Sequence, residues 1–344
     1  MENAFDEIGF ATTEEMLIAS IRQPVKTREE IIDRLQNMKQ VLKDRIAGPP
    51  FAIFYFDTPV DGFDVETGFP VDSEFSIDEI SSRAIDASDA FVVRKQGSMK
   101  DLRKSVVQIS EFAGTRGIPS ALRYMEIYHS GFLDESSELD FEIVYYLHNW
   151  QARFLSYVEQ FTNQSTYEAI IGLGKPPDTL EPAEKRADWV KKAISILEEK
   201  SSERQISEVI CSCAHVRPKE DIEVYRKVFE ETGSLEEVLK VQIQKFKGRW
   251  IEEPYIEGNK IYMTKVVRDI DSYRKGKTQK ERIKAHCFCP MVFEMLDETP
   301  PKFCYCGGGW ARQMWEGVLG YPVDVKLVKT VVDGSDTCAW EITI

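Results

Sequence analysis

The chain has 344 residues, is 42% hydrophobic and 30% charged, and carries a formal net charge of -14. That length and apolar content suit about two globular domains and exclude a largely disordered chain. The acidic balance, with no basic run, argues against a nonspecific grip on nucleic acid phosphates, so no direct nucleic acid partner is expected. The opening stretch MENAFDEIGFATTEEMLIAS has neither a basic leader nor a long apolar run, so no membrane partner is expected and the cytoplasm is the expected location. All seven cysteines fall between residues 211 and 338. An odd number so confined suits reduced thiols or a metal better than a disulfide framework.

In chain order, MLIASIRQP is a strand candidate and TREEIIDRLQNMKQVLKDRIAG a helix. Thr27 and Glu30 have capping-box spacing, and Ile31, Leu35, Met38 and Leu42 recur at helical intervals. The strands FAIFYFD and FDVETGFPV follow. The same order then returns: AFVVRKQ as a strand, a helix opened by Ser98 with Asp101 three residues on, and the strands ALRYMEIYHS and ELDFEIVYYL. Strand, helix, strand, strand is written twice, with a Gly and a Pro after each helix and DVE at 64–66 answered by DFE at 140–142.

The alternation of a strand puts Tyr124, Glu126 and Tyr128 on one face and Arg123, Met125 and Ile127 on the other. A carboxylate between two rings suits an organic cation, because ring faces and a poorly solvated carboxylate both attract positive charge. A solvated outer face is the competing reading. In the last strand Glu142 and Tyr146 share a face opposite Phe141 and Tyr145, and Glu66 holds the equivalent place in the first repeat. Each of these glutamates is either a groove residue or an exposed strand carboxylate.

The stretches DVETGFPV, RGIP and MEIYHSGFLDESSELDFEIVYYL make residues 10 to 150 resemble the GyrI-like, or AraC-type effector-binding, domain. That resemblance implies an α+β fold in which the duplicated modules form one antiparallel sheet with two helices and a ligand groove. It implies that the glutamate of the Glu-x-Tyr strand faces the ligand. Members of the family bind small molecules, regulate transcription when fused to a DNA-binding domain, bind gyrase, or hydrolyse strained cyclopropane-containing compounds. In a hydrolase, Glu126 would activate water and a nearby tyrosine would stabilise the developing anion.

Residues 151–180 are expected to be a helical linker, with Gly172, Gly174, Pro176 and Pro177 marking a break, and 181–344 a mixed α/β cysteine-rich domain. Helices are predicted in AEKRADWVKKAISILEEK, EDIEVYRKVFEETG and SLEEVLKVQIQKFKGRW, a strand in NKIYMTKVVRD, and two strands in PVDVKLVKTVVDGSDTCAWEITI. HCFCP, FCYCGGGW and Cys338 make roughly 205–344 resemble an uncharacterised family distantly like 4-vinyl-reductase-type ligand-binding modules. Three Cys-x-Cys pairs occur, at 211 and 213, 287 and 289, and 304 and 306. Were the segments extended, each pair would aim two sulfurs one way, and Cys287, Cys289, Cys304 and Cys306 would fill a tetrahedral zinc shell. Buried or redox-active thiols are the alternative, and a cysteine nucleophile using His215 or His286 a third. Glycines 307–309 are expected to precede a helix, either as an anion-holding loop or as a tight turn.

These observations favour a small-molecule effector-binding protein or sensor, with Tyr124, Glu126, Tyr128, Glu66, Glu142 and Tyr146 as ligand-binding residues. A hydrolase using Glu126 is the alternative. A protein partner rests on the acidic surface alone, and a second copy of the chain is the other candidate partner.

Overall fold

A computed structural model describes residues 8–56, 60–132, 138–217, 219–246 and 252–344. The chain divides into two compact units, Met1–His148 and Asn149–Ile344. In chain order the first contains strands β1 (Gly9–Thr12) and β2 (Met16–Val25), helix α1 (Arg28–Leu42), and strands β3 (Phe51–Tyr55), β4 (Phe63–Pro70), β5 (Ser76–Ile77), β6 (Ile80–Ile85) and β7 (Asp89–Gly97). Helix α2 (Met99–Thr115) and strands β8 (Ser120–Ser130) and β9 (Leu139–Leu147) complete it. Among the described residues these strands form one nine-stranded sheet in the order β1-β7-β9-β8-β3-β4-β2-β6-β5. The neighbours in it are antiparallel.

The duplication is visible in this order. One half runs β2-β4-β3, the other β8-β9-β7, and they join where β3 pairs β8. Strands β1, β5 and β6, which the apolar pattern did not announce, extend the two outer edges.

Each helix begins where its cap dictates. The Thr27 hydroxyl accepts the Glu30 amide at 3.4 Å, and the Glu30 carboxylate reaches back to the Lys26 amide at 3.1 Å. Ser98 and Asp101 complete a reciprocal capping box at α2. Ile31, Leu35, Met38 and Leu42 from α1 and Leu102, Ile109 and Ala113 from α2 are buried in one core with Ala52, Val65, Phe69, Phe91, Phe141 and Ile143. Burying each large apolar side chain contributes about 1.5–3 kcal/mol relative to exposure, so this stripe fixes both helices on one face of the sheet.

The second unit comprises α3 (Trp150–Phe161), α4 (Gln164–Ile171), α5 (Ala183–Lys200), α6 (Glu203–Ser212), α7 (Lys219–Thr232), α8 (Leu235–Phe246), β10 (Tyr255–Glu257) and β11 (Lys260–Thr264). It continues with α9 (Ile270–Lys275), α10 (Gln279–His286), α11 (Pro290–Met295), α12 (Tyr305–Leu319), β12 (Asp324–Lys329) and β13 (Ala339–Thr343). Its strands order as β10-β11-β13-β12. Within the residues expected as a linker, α3 and α4 are helical and 172–180 are not, and Phe154, Val158 and Ile170 are buried in the same core as Leu197, Ile210 and Trp315.

Two local expectations are corrected here. Cys211 lies in α6 and Cys213 caps it, so their side chains diverge around a helix rather than sharing a strand face. Glycines 307–309 lie inside the first turns of α12 rather than before it. A β-carbon on Gly309 would meet the Cys211 carbonyl oxygen at 1.9 Å, and one on Gly307 or Gly308 would strike the Trp340 indole at 2.6–2.7 Å. The triplet lets α12 lie against the backbone of α6 and the ring of Trp340, so it is neither a turn nor an anion loop.

Candidate ligand site

The β8 ladder decides which side chains meet. Glu126 pairs with Ala52 on β3 and Ile143 on β9, which puts it on the helix-covered face with Tyr124 and Tyr128. It is 0% exposed, so the solvated reading of this face does not hold. Four donors surround its carboxylate. The guanidinium of Arg28, the first residue of α1, binds it through both terminal nitrogens, Nη1 to Oε2 and Nη2 to Oε1, the latter at 2.7 Å. The Tyr128 hydroxyl donates to Oε2 at 2.6 Å and the Tyr124 hydroxyl to Oε1 at 3.2 Å. A carboxylate has about four acceptor positions, so this one is saturated.

Aromatic rings surround the ion pair. Tyr124 stacks on Phe54 (4.9 Å between centroids, 7° between planes) and on Phe56 (5.4 Å, 25°), and Tyr128 stacks on Phe132 (3.6 Å, 3°). The Arg28 guanidinium carbon lies 5.2 Å from the centre of the Phe54 ring, within cation–π range. Burial opposes the Arg28 charge, but the hydrogen bonds and charge of Glu126 outweigh it and raise the guanidinium above its ordinary value. Burial, reinforced by the Glu126 charge, pushes the Tyr124 and Tyr128 phenols well above theirs. Both hydroxyls therefore stay protonated and able to donate.

The other three expected residues lie on the opposite face of the sheet. Glu66 pairs with Ile53, which pairs with Met125, whereas Glu126 pairs with Ala52. Glu142 pairs with Ile127 and Tyr146 with Ala90. Glu66 is held by a second, independent four-donor cradle: Arg83 through Nε at 2.9 Å and Nη2 at 2.5 Å, Ser20 at 2.5 Å and Tyr55 at 2.6 Å. Burial alone would raise its carboxyl, yet Arg83, with Ser20 and Tyr55, holds it below the usual carboxylate range. Glu142 is half-buried and lies 3.2 Å from His129 Nε2. The Tyr146 hydroxyl faces the Met125 sulfur at 3.9 Å, with the Arg123 guanidinium over its ring. The six candidates thus divide between two faces rather than lining one groove.

Sequence reasoning missed Arg28, Phe54, Phe56 and Phe132. Arg28 left a signal: a cation in the first turn of a helix opposes the positive end of the macrodipole, so a cation placed there calls for an anionic partner. Phe54, on β3, and Phe56, just past its end, were readable as one side of an extended segment, but which face of the sheet required the register with β8.

In the second unit, Cys287 is buried and Cys289, Cys304 and Cys306 are half-buried. Burial pushes the Cys211, Cys287 and Cys306 thiols up to about 12, and the Cys211 and Cys213 thiols donate to the carbonyls of Tyr305 and Val209. Among the described residues, no three or more His, Cys, Asp or Glu side chains converge as metal ligands would. Cys338 differs from the rest: a hydrogen bond from the Cys304 thiol brings it down to about 6 against the opposing effect of burial. His215 and His286 are both lowered to about 4, first by burial and then by nearby cations, so neither is set up as a general base near neutral pH.

No protein-family model matches this chain, and no curated protein does. Among solved structures it is similar to the EcmrR C-terminal domain, with 19% identity over 41% of this chain and 96% of that one and a TM-score of 0.37. It is similar to SAV2435 bound to tetraphenylphosphonium, with 14% identity over 42% and 96% of the two chains and a TM-score of 0.33. A hydrolase encoded by lin2189 from Listeria innocua is similar at 9% identity over 41% and 91%, with a TM-score of 0.29. Among the described residues no helix is long and apolar enough to cross a membrane.

Proposed function

We propose that the first unit binds an amphipathic organic cation at Glu126, as the effector-binding part of a small-molecule sensor. The observation that carries this reading is a fully buried carboxylate walled by aromatic rings, whose ionic partner is a side chain 18% exposed at the start of a helix. Arg28 acts as a built-in stand-in for the ligand. Its release is favoured by the helix end it occupies, and a flat or delocalised cation would take over both the charge and the ring contacts. The tyrosine hydroxyls would stay on the carboxylate, so Glu126 would never be left bare.

The hydrolase reading gains less support. A general base needs a lone pair for water, and the four donors on Glu126 leave none until Arg28 moves.

Charge selectivity tests the proposal. Tetraphenylphosphonium and tetraphenylborate share shape and apolar area but differ in sign. The cation is expected to raise the thermal midpoint of the protein in a dose-dependent way and the anion is not. Equal stabilisation by both, or stabilisation by the anion alone, would reject a cation site.

A further inference from the structure

One feature of the second unit is untouched by the ligand site: two cysteines distant in sequence meet across a hydroxyl. Cys304 closes the short turn before α12, and Cys338 immediately precedes β13. The Thr330 hydroxyl oxygen lies 3.0 Å from the Cys304 sulfur and 3.5 Å from that of Cys338. The Val331 amide donates to the Cys338 sulfur at 3.5 Å. We propose that Cys304 and Cys338 are a redox-active dithiol that closes reversibly to a disulfide, with Cys338 as the attacking sulfur and Cys304 as the resolving one.

Three details support this pair. Both sulfurs lie against the one Thr330 hydroxyl oxygen, which gives the proximity that a disulfide requires. Cys338 receives the Val331 amide and lies near the Lys265 ammonium, an environment that favours a thiolate. Cys338 is buried and Cys304 half-buried, so a small oxidant would reach the attacking sulfur past Cys304. Cys211 and Cys213, by contrast, donate to backbone carbonyls.

The chemistry balances with hydrogen peroxide as oxidant. The Cys338 thiolate attacks one peroxide oxygen, the O–O bond breaks, and the departing hydroxide takes the proton that the thiol gave up, leaving as water. The resulting sulfenic acid is attacked by the Cys304 sulfur, and its oxygen leaves with the Cys304 proton as a second water. Two thiols and one peroxide become one disulfide and two waters, two electrons passing from sulfur to oxygen. The new bond would tie the β12–β13 connection to the start of α12, and thiol exchange would reopen it.

Peptide mapping of the full chain tests this without any mutation. The protein is treated with hydrogen peroxide, free thiols are alkylated, and tryptic fragments are sequenced so that Cys304 is distinguished from Cys306. The expected result is loss of two of the seven thiols, a cross-link between residues 303–312 and 330–344 through Cys304 and Cys338, and its removal by dithiothreitol. In Cys304→Ser, Cys338 should instead be trapped by dimedone as a sulfenic acid. A cross-link through Cys287 or Cys306, or full alkylation of both Cys304 and Cys338 after peroxide has oxidised other thiols, would overturn the assignment, even if the serine variant failed to fold.

Discussion

Arg28→Met should destabilise the first unit strongly, and Glu126→Gln should suppress that effect. Removing Arg28 strips both guanidinium bonds from a carboxylate with no exposed surface. Breaking a buried pair from one side costs about 3–5 kcal/mol. The hydroxyls of Tyr124 and Tyr128 stay on Glu126 and place the loss near the low end, about 3 kcal/mol. Glu126→Gln leaves the opposite charge behind, but Arg28 is partly exposed and can turn towards water, so about 1–2 kcal/mol is expected. With both charges gone, an apolar side chain faces an amide that still accepts the tyrosine hydroxyls. The double variant should then lose only about 2 kcal/mol, a coupling of about 2–3 kcal/mol between the two sites. All six tryptophans lie beyond residue 149 and report on the second unit. Urea unfolding should therefore be followed by circular dichroism, with amide exchange in β3 and β8 identifying the first unit's transition. A cost below about 1 kcal/mol for Arg28→Met, or additivity of the two changes within about 0.5 kcal/mol, would refute the reasoning.

The second unit should weaken as pH falls from about 6.5 to about 4, because His215 and His286 are lowered to about 4 in the folded protein and take up protons first when unfolded. Each contributes a slope of up to about 1.4 kcal/mol per pH unit across that window; tryptophan-monitored denaturation at pH 7 and pH 4.5 checks it, and equal midpoints would contradict it. Gly309→Ala should cost about 3 kcal/mol or more by forcing α12 off the Cys211 carbonyl, measured by the same fluorescence, and a loss under about 1 kcal/mol would mean that the helices are not that close. Protein purified without metal affinity or chelator should contain well under stoichiometric zinc by elemental analysis; stoichiometric metal would show that the cysteines assemble differently from their arrangement here.

Much of the first unit was legible in the sequence because repetition is a global signal. Two copies of strand, helix, strand, strand constrain one another, and the caps at Thr27 and Ser98 mark helix starts that a single copy would leave vague. Strand alternation grouped Tyr124, Glu126 and Tyr128 correctly, since parity within one strand is local. It could not place Glu66, Glu142 and Tyr146 against Glu126, because the relative parity of different strands is set by inter-strand register. Arg28 lies 98 residues from its partner, and only its unfavourable place at a helix start hinted at the pairing. The cysteine spacing misled for a different reason. A two-residue interval means a shared face on a strand and divergence on a helix, and the FCYCGGGW segment enters α12. Its glycines suggested a loop by propensity, but close packing with Cys211 and Trp340 overrides that preference.

The claim that Glu126 is the counter-charge for an organic cation is tested most directly by calorimetric titration of tetraphenylphosphonium into the unmodified chain, Glu126→Gln and Arg28→Met, with folding of each variant verified first. The account predicts saturable binding to the unmodified chain, weakened at least about tenfold in Glu126→Gln, a loss of about 1.4 kcal/mol, and strengthened in Arg28→Met, where the stand-in is gone. Unchanged affinity in Glu126→Gln, or loss of binding in a folded Arg28→Met, would contradict it.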